Sequence, residues 1–346
     1  MLLFVVRRLA WAIVLVAVIS LITFTIFLAL PHNSIGSRQG LVTPNLQAQW
    51  HLNHKSLPTQ YALFLQHVLL HGDLGQSLRQ PVSVRSVIKS SLPVTASLVI
   101  GGTLLWLLLA FPIGLLSALR PRSFLDKGLM IFVLVGVSAH PVWLGLILSY
   151  FLGFKAHVFP IAGYCNLHYH PGDACGGLRY WAYYMVLPWI TFALLFAALY
   201  ARMIRASVLE ALGEDYVRTA RAKGAGSWRI LRKHVIRNAL LPVVAMLGMD
   251  VGIAFGGAIF IETVFDLPGM GQALYRALGS SDEPVIMGVA LTVSVAVVIT
   301  NLAADILYCF IDPRVRLRTG RRLHAPELLR HGRRASAGGE LTEPAT

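Results

Sequence analysis

The amino-acid sequence predicts an all-α polytopic membrane protein with six transmembrane helices. Three observations lead there. Hydrophobic residues make up 56% of the 346-residue chain and charged residues 13%, with a mean hydropathy of +0.65, a composition outside the range of water-soluble globular chains. The apolar residues gather into six uncharged runs, each reaching the ~20 residues a helix needs to cross a ~30 Å hydrocarbon core. The formal net charge of +14 is carried by Lys and Arg between those runs. No basic face interleaved with aromatics is available for nucleic acid.

The first run, Leu9 to Leu30, follows Arg7 and Arg8. A secretory signal has an apolar core of about 7 to 15 residues and then a small-residue cleavage site. This run is longer and ends at Pro31 without one, so residues 9–30 are read as a retained first span behind a cytoplasmic N-terminus, residues 1–8. Further runs occupy 92–119, 128–154, 180–201, 238–261 and 284–311. With the N-terminus inside, 22 Lys and Arg fall on inner segments and 8 on outer ones. This asymmetry places both termini in the cytoplasm. Residues 31–91 then form an extracytoplasmic segment, in which Gln60 to Leu70 reads as an amphipathic helix and Gly72-Asp73-Leu74-Gly75 as a turn. Residues 92–317 hold five spans. Residues 318–346 lack apolar periodicity and are expected to be a disordered basic cytoplasmic tail.

The inner loop 202–237 is the most informative stretch, carrying nine Lys and Arg. Up to Lys223 nothing breaks a helix, whereas Gly224-Ala225-Gly226 offers the left-handed position that ends one. Ser227 is placed to cap a second helix, with Trp228, Leu231, Val235 and Ala239 at the three- and four-residue spacing of a buried face.

The run Asp215-Tyr216-Val217-Arg218-Thr219-Ala220-Arg221-Ala222-Lys223-Gly224, with Ala225 after it and His234, Arg237-Asn238-Ala239-Leu240 and Pro242 beyond, resembles the "EAA" cytoplasmic loop of ABC importer permeases. It is closest to the dipeptide and oligopeptide branch, whose relatives include nickel and glutathione permeases. Arg218-Thr219-Ala220 stands where the general motif has Glu-Ala-Ala, and Ile236-Arg237 where it has Leu-Pro; both departures match the peptide branch. His71-Gly72-Asp73-Leu74-Gly75-Gln76-Ser77, Glu262-Thr263-Val264-Phe265 with Pro268-Gly269-Met270-Gly271, and Asp312-Pro313-Arg314 are similar to the same family.

The resemblance implies a type I ABC importer permease fold and a subunit moving di- or oligopeptides across a prokaryotic cytoplasmic membrane by alternating access. Asp215 to Ala225 would be the coupling helix. It further implies two ATPase subunits holding ATP and Mg, a second homologous permease subunit and an extracytoplasmic substrate-binding protein. The sequence has no nucleotide-binding P-loop, so no cofactor and no catalytic residue is expected in this chain. A permease for nickel or another small solute is the near alternative.

Several polar residues are candidates for a role. His140, beside Pro141, either lines a path or bonds a kink carbonyl. Asp250 and Asp305 lie within spans, where a carboxylate is a functional candidate because its burial is expensive. An intramembrane aspartyl protease or a membrane scaffold is therefore the distant rival. At ~1.5 Å per residue the two carboxylates sit ~18 Å and ~9 Å from the inner ends of their spans, too far apart axially to share a proton. Each is expected to bond a neighbouring helix or line an aqueous cavity. Glu262, Asp266, Pro268 and Gly269 are candidates for an outer gate or a binding-protein contact, with solvated loop carboxylates as the default. Cys165 and Cys175, with nine residues between them on the oxidising side, read first as a disulfide and alternatively, with His157, His168 and His170, as a metal site.

Overall fold

The computed structural model describes residues 2–26, 56–167 and 175–311. The expectations for residues 27–55, for His168 and His170, and for the 312–346 terminus lie outside them. Eleven α-helices are named here in chain order among the described residues, with no strand among them. They are α1 (Leu2–Phe24), α2 (Leu57–Gln66), α3 (Val84–Leu119), α4 (Phe124–Ser138), α5 (Pro141–Leu148), α6 (Leu178–Gly213), α7 (Asp215–Ala222), α8 (Ser227–Ile230), α9 (Ile236–Val264), α10 (Met270–Ser280) and α11 (Glu283–Ile311).

The spanning helices begin before their uncharged runs, α1 and α3 by seven and eight residues. α1 continues through Arg7 and Arg8, since arginine favours a helix almost as much as alanine does. α3 starts at Val84, eight residues before the predicted span, because Ser83 caps it by accepting the Ser86 N–H at 3.2 Å. Its 36 residues extend ~54 Å, so both ends project beyond the hydrocarbon.

The bundle is built on α3 and α6, which run parallel. Gly101 lies against Trp189, Gly102 against Phe192, and Gly114 against Ala201 and Ile204. A Cβ at Gly114 would stand 2.6 Å from the Ala201 carbonyl oxygen, so glycine is what lets these backbones approach. Trp106 fills the seam, its ring 4.4 Å from Phe196 and 5.9 Å from Tyr200.

Because α3 and α6 run the same way, the chain between them must return across the membrane. The predicted third span is broken: α4 ends at Ser138, and α5 restarts at Pro141 and continues into a π-helical turn, Ser149–Lys155. Asp126 meets Arg205, Gly136 meets Ala198, Gly145 meets Thr191, and Val158 accepts a hydrogen bond from Tyr183. Partners on α6 fall in number as those on the broken span rise, over 22 residues or ~33 Å. Taken as one crossing, these two pieces, which meet at a 107° bend, bring the spans among the described residues from five to six.

α9 packs antiparallel on α11, with Gly248 against Ala304 and Gly252 against Val297. α1 lies on the outside of α11, from the Arg8–Asp305 ion pair at one end to Phe24 beside Met287 and Leu291 at the other. The first turns of α1, the loop after α6 and the end of α11 thus share one face. On the opposite face α2 buries Phe64 completely against Phe24, whose ring lies 5.7 Å away. Across the stretch expected to turn, Gly72 and Gly75 take positive φ of 59° and 84°, and Gly75 N–H donates to Asp73 Oδ1 at 2.9 Å; Leu74 packs against the cluster that includes Val84 and Ile88.

Candidate coupling and transport site

The loop between α6 and α9 is a helical hairpin. α7 ends where Gly224 takes φ +77°. There Gly224 N–H donates to Arg221 O at 2.9 Å and Ala225 N–H to Ala220 O at 3.1 Å, the paired bonds of a Schellman cap. Nothing lies within 4 Å of a Cβ built on Gly224, so the glycine is there for its backbone and not for space.

Val217, Ile230, Leu231 and Val235 anchor the hairpin in the bundle core, with Val217 fully buried. Ala220 and Ala225 are half-buried against it. Asp215, Tyr216, Arg218, Thr219, Arg221, Ala222, Lys223 and Gly224 are exposed. Asn238 Nδ2 donates to the Tyr216 hydroxyl at 2.9 Å, pinning the start of α7 to α9. The exposed Asp215–Arg218 pair, at 3.6 Å, contributes little. One face of the predicted coupling segment is thus fixed and the other is free to meet a partner.

Two details differ from the sequence reading. Gly226 is the N-cap and Ser227 the first helical residue of α8. Trp228 is 70% exposed; the buried stripe starts at Ile230, because Ile230, Leu231, Val235 and Ala239 share the inward side. From Ser227, α8, a π-helical turn (Leu231–Val235) and α9 form one helical run of 38 residues ending at Val264.

At the far end of that run stands Glu262. The expectation of solvated loop carboxylates is corrected here for Glu262, which is buried, as is Asp282 just before α11. Glu262 belongs to the last turn of α9. Its carboxylate accepts from the Thr95 hydroxyl at 2.6 Å and from Gln272 N–H at 3.0 Å, while Thr95 Oγ1 accepts from Met270 N–H at 2.8 Å. These donors offset the desolvation of the carboxylate, which sits where the positive end of α10 favours an anion.

A Cβ on Gly269 would collide with the Glu262 carboxyl group, so that glycine is required for close approach. Glu262 fastens α9, α3 and α10 together and has no surface for a binding protein. Asp282 accepts from the Ser77 hydroxyl and from Leu78 N–H. Asp266 is exposed, with φ +49°, and pairs with Arg276 at 3.2 Å. Its partners Gln272 and Arg276 line an outward cleft of about 200 Å³ together with Ser77, Arg79 and Pro268.

The intramembrane carboxylates are engaged separately. Tyr200 donates to Asp250 at 2.7 Å, and Asp305 pairs with Arg8 at 2.9 Å. Different helices hold them, which is not the arrangement of a proton-sharing dyad. Among the described residues His140 bonds no carbonyl. The break before α5 leaves the Val142 N–H without a helical acceptor, and His140 Nδ1 accepts it at 3.3 Å.

Cys165 and Cys175 are joined in a disulfide, which takes both sulfurs out of the thiolate form that a metal would need. Gly163 N–H donates to Phe265 O at 2.9 Å, tying this outer loop to the end of α9.

The sequence reading missed Asp126. It is buried and receives Arg205 through Nε at 2.8 Å and Nη2 at 2.9 Å, together with the Ser117 hydroxyl and Arg122 N–H. This bidentate pair ties the turn between α3 and α4 to α6, one helix before the hairpin. A local signal existed: Ser123-x-x-Asp126 is a capping-box spacing, and Ser123 Oγ does accept the Asp126 N–H. Thr95 had no such signal, since its partner lies 167 residues away.

Residues 110–317 match the family model for the binding-protein-dependent transport system inner membrane component, and residues 1–99 match the N-terminal model of such membrane components. The chain belongs to this inner membrane component family. It is 32% identical over 337 residues to the dipeptide transport system permease protein DppB of Escherichia coli K12, covering 91% of this chain and 99% of the relative. It is 36% identical over 261 residues to the oligopeptide transport system permease protein AppB of Bacillus subtilis 168, covering 74% and 80%. Among solved structures, the inward-facing MetNI methionine ABC transporter matches with a TM-score of 0.52 at 17% identity, covering 65% of this chain and 96% of that one. That likeness establishes the type I permease fold. As a family member the chain is a multi-pass membrane subunit of an importer that works with ATPase and substrate-binding partners.

Proposed function

We propose that this chain is a peptide-translocating permease subunit, a transport component and not an enzyme. In this reading the exposed face of α7 receives the motion of a separate ATPase. The observation that carries it is the unbroken run from Ser227 to Val264. At ~1.5 Å per residue it reaches ~57 Å, joining the Schellman elbow at Gly224 on one face to the Glu262 cluster on the other. A tilt imposed at the hairpin, held by Val217 and Ile230, would move Glu262 and with it α3 and α10. Such a lever opens one side of a bundle as it closes the other.

Peptide as substrate is supported by the names of the relatives, which are dipeptide and oligopeptide permeases. The excess of Lys and Arg supports a cytoplasmic hairpin and cytoplasmic termini. A second permease subunit would complete the path, and ATP and Mg would be held by two ATPase subunits. Outside, the layer formed by α2, the disulfide loop and α10 would seat a substrate-binding protein. The test is ATP hydrolysis by the complete complex in proteoliposomes, measured with binding protein and with di- or oligopeptides, nickel or no solute. Stimulation by peptide, accompanied by uptake, is the expected result. Stimulation by nickel alone would replace peptide as the substrate, and uptake without the ATPase subunits would end the reading.

A further inference from the structure

Between Arg237 and Glu262, α9 carries a single charged side chain, Asp250. It stands 12 residues beyond Asn238 and 11 before Ile261, hence ~18 Å and ~17 Å from the two ends of that span. This is the middle of the membrane. Tyr200 donates to its Oδ2 at 2.7 Å, but no cation among the described residues pairs with it. Its Oδ1 has no hydrogen-bond partner among them and keeps accessible surface, unlike the enclosed Trp106 Nε1 and Asn301 Oδ1. A carboxylate served by one donor is costly against lipid, and such groups face the bundle interior or water.

The face around it is open. Met246, Asp250, Ile253, Gly257 and Phe260 follow one another at four- and three-residue spacing, which places them on one side of the helix. Met246, Ile253 and Phe260 are exposed, and nothing lies within 4 Å of a Cβ built on Gly256 or Gly257. The row ends outward where Phe260 meets the His140 ring at 5.6 Å. A row made only to meet lipid or a neighbouring helix gains nothing from a carboxylate at its centre.

We propose that this row lines the path and that Asp250 is a transient binding site for the ammonium groups of a passing peptide, its α-ammonium or a lysine side chain. Oδ1 accepts from the ammonium N–H, while Tyr200 holds Oδ2 and fixes the direction of the carboxylate. Charge-assisted bonds of this kind are the strong ones. The inference rests on the reading of the chain as a peptide permease and adds the residue that the peptide meets midway. Because Asp250 rides on α9, the tilt that moves Glu262 also moves this site. A fixed cation from a second permease subunit would use the same oxygen, but it would cancel the charge and serve every peptide alike.

The test uses the complete complex in proteoliposomes at low ionic strength, with Cys309 replaced by serine and Ile253→Cys as reporter. Cationic and anionic thiosulfonate reagents of similar size are compared. Asp250→Asn should lower the ratio of cationic to anionic labelling rates by ~10-fold or more, the effect of one charge ~6 Å away even at the dielectric constant of water. The second readout is uptake of lysine- against glutamate-containing dipeptides brought by one binding protein, whose own preference enters every variant equally. The lysine-to-glutamate ratio should fall several-fold in Asp250→Asn and be retained in Asp250→Glu and Tyr200→Phe, which keep the charge. Should Asp250→Asn fail to assemble, the Ile253→Cys complex still decides, because the lysine peptide should slow its labelling more than the glutamate peptide does. An unchanged reagent ratio, or equal loss of both peptides in Asp250→Asn, would overturn the proposal and leave peptide transport standing. Uptake of neither peptide by the wild type would overturn the transport reading and the proposal with it.

Discussion

Replacing Gly224 with Val perturbs the elbow through its backbone alone. The native φ of +77° costs an L-residue ~1–2 kcal/mol, and a β-branched one more. The chain can escape by giving up the Schellman cap, which forfeits two hydrogen bonds of ~0.5–1.5 kcal/mol each. Either route shifts the balance between ordered and frayed elbow by about tenfold, since ~1.4 kcal/mol is a factor of ten. With no atom within 4 Å of the new Cβ, global folding should be intact. Asn tolerates the left-handed region, so Gly224→Asn should stay close to the wild type. The assay is peptide uptake and ATP hydrolysis measured in parallel in the reconstituted complex. Gly224→Val is expected to transport several-fold less per ATP at an unchanged melting temperature. Wild-type coupling in the Val variant, or equal damage from Asn, would refute the backbone argument.

Three other perturbations follow from the same geometry. Asp126→Asn or Arg205→Gln alone leaves a largely buried charge unpaired, at a cost of ~3 kcal/mol or more. The double variant should lose less than the sum, a coupling that a denaturation cycle measures. Glu262→Ala strips acceptors from the Thr95 hydroxyl and Gln272 N–H and should destabilise the complex by ~2–5 kcal/mol. Glu262→Gln retains one carbonyl oxygen and should recover much of that; equal melting temperatures for the two would contradict the latch. Loss of the Cys165–Cys175 bond, which closes a loop with nine intervening residues, should cost ~2–3 kcal/mol. Both thiols should react with a maleimide only after reduction.

The spans were legible because the hydrocarbon core demands long uncharged runs, and the elbow because Gly224 is the local requirement of a left-handed turn. Where helices begin was less legible. α3 starts at a serine cap and α1 runs through its arginines, neither of which hydropathy registers. Trp228 was misplaced because periodicity fixes the spacing of a face but not its phase; Ile230 and Leu231 set the phase by packing on the core. Glu262 read as a loop carboxylate because nothing nearby announces Thr95 or the start of α10. Burial of a charge becomes visible only when the donors that compensate it are brought from distant parts of the chain. Asp126 was the avoidable miss, since its capping spacing is local.

The central claim is that the exposed face of α7 receives force from an ATPase. With Cys309, the third cysteine of the chain beside the bonded Cys165 and Cys175, replaced by serine, a single free cysteine at Thr219, on the exposed face, or at Val217, on the buried one, can be treated with a short bifunctional thiol reagent in membranes holding the whole complex. The account predicts that Thr219→Cys joins to the ATPase subunit, in a yield that changes with ATP, and that Val217→Cys does not. Attachment of Thr219→Cys to the substrate-binding protein, or its labelling by a membrane-impermeant reagent added outside intact cells, would contradict it.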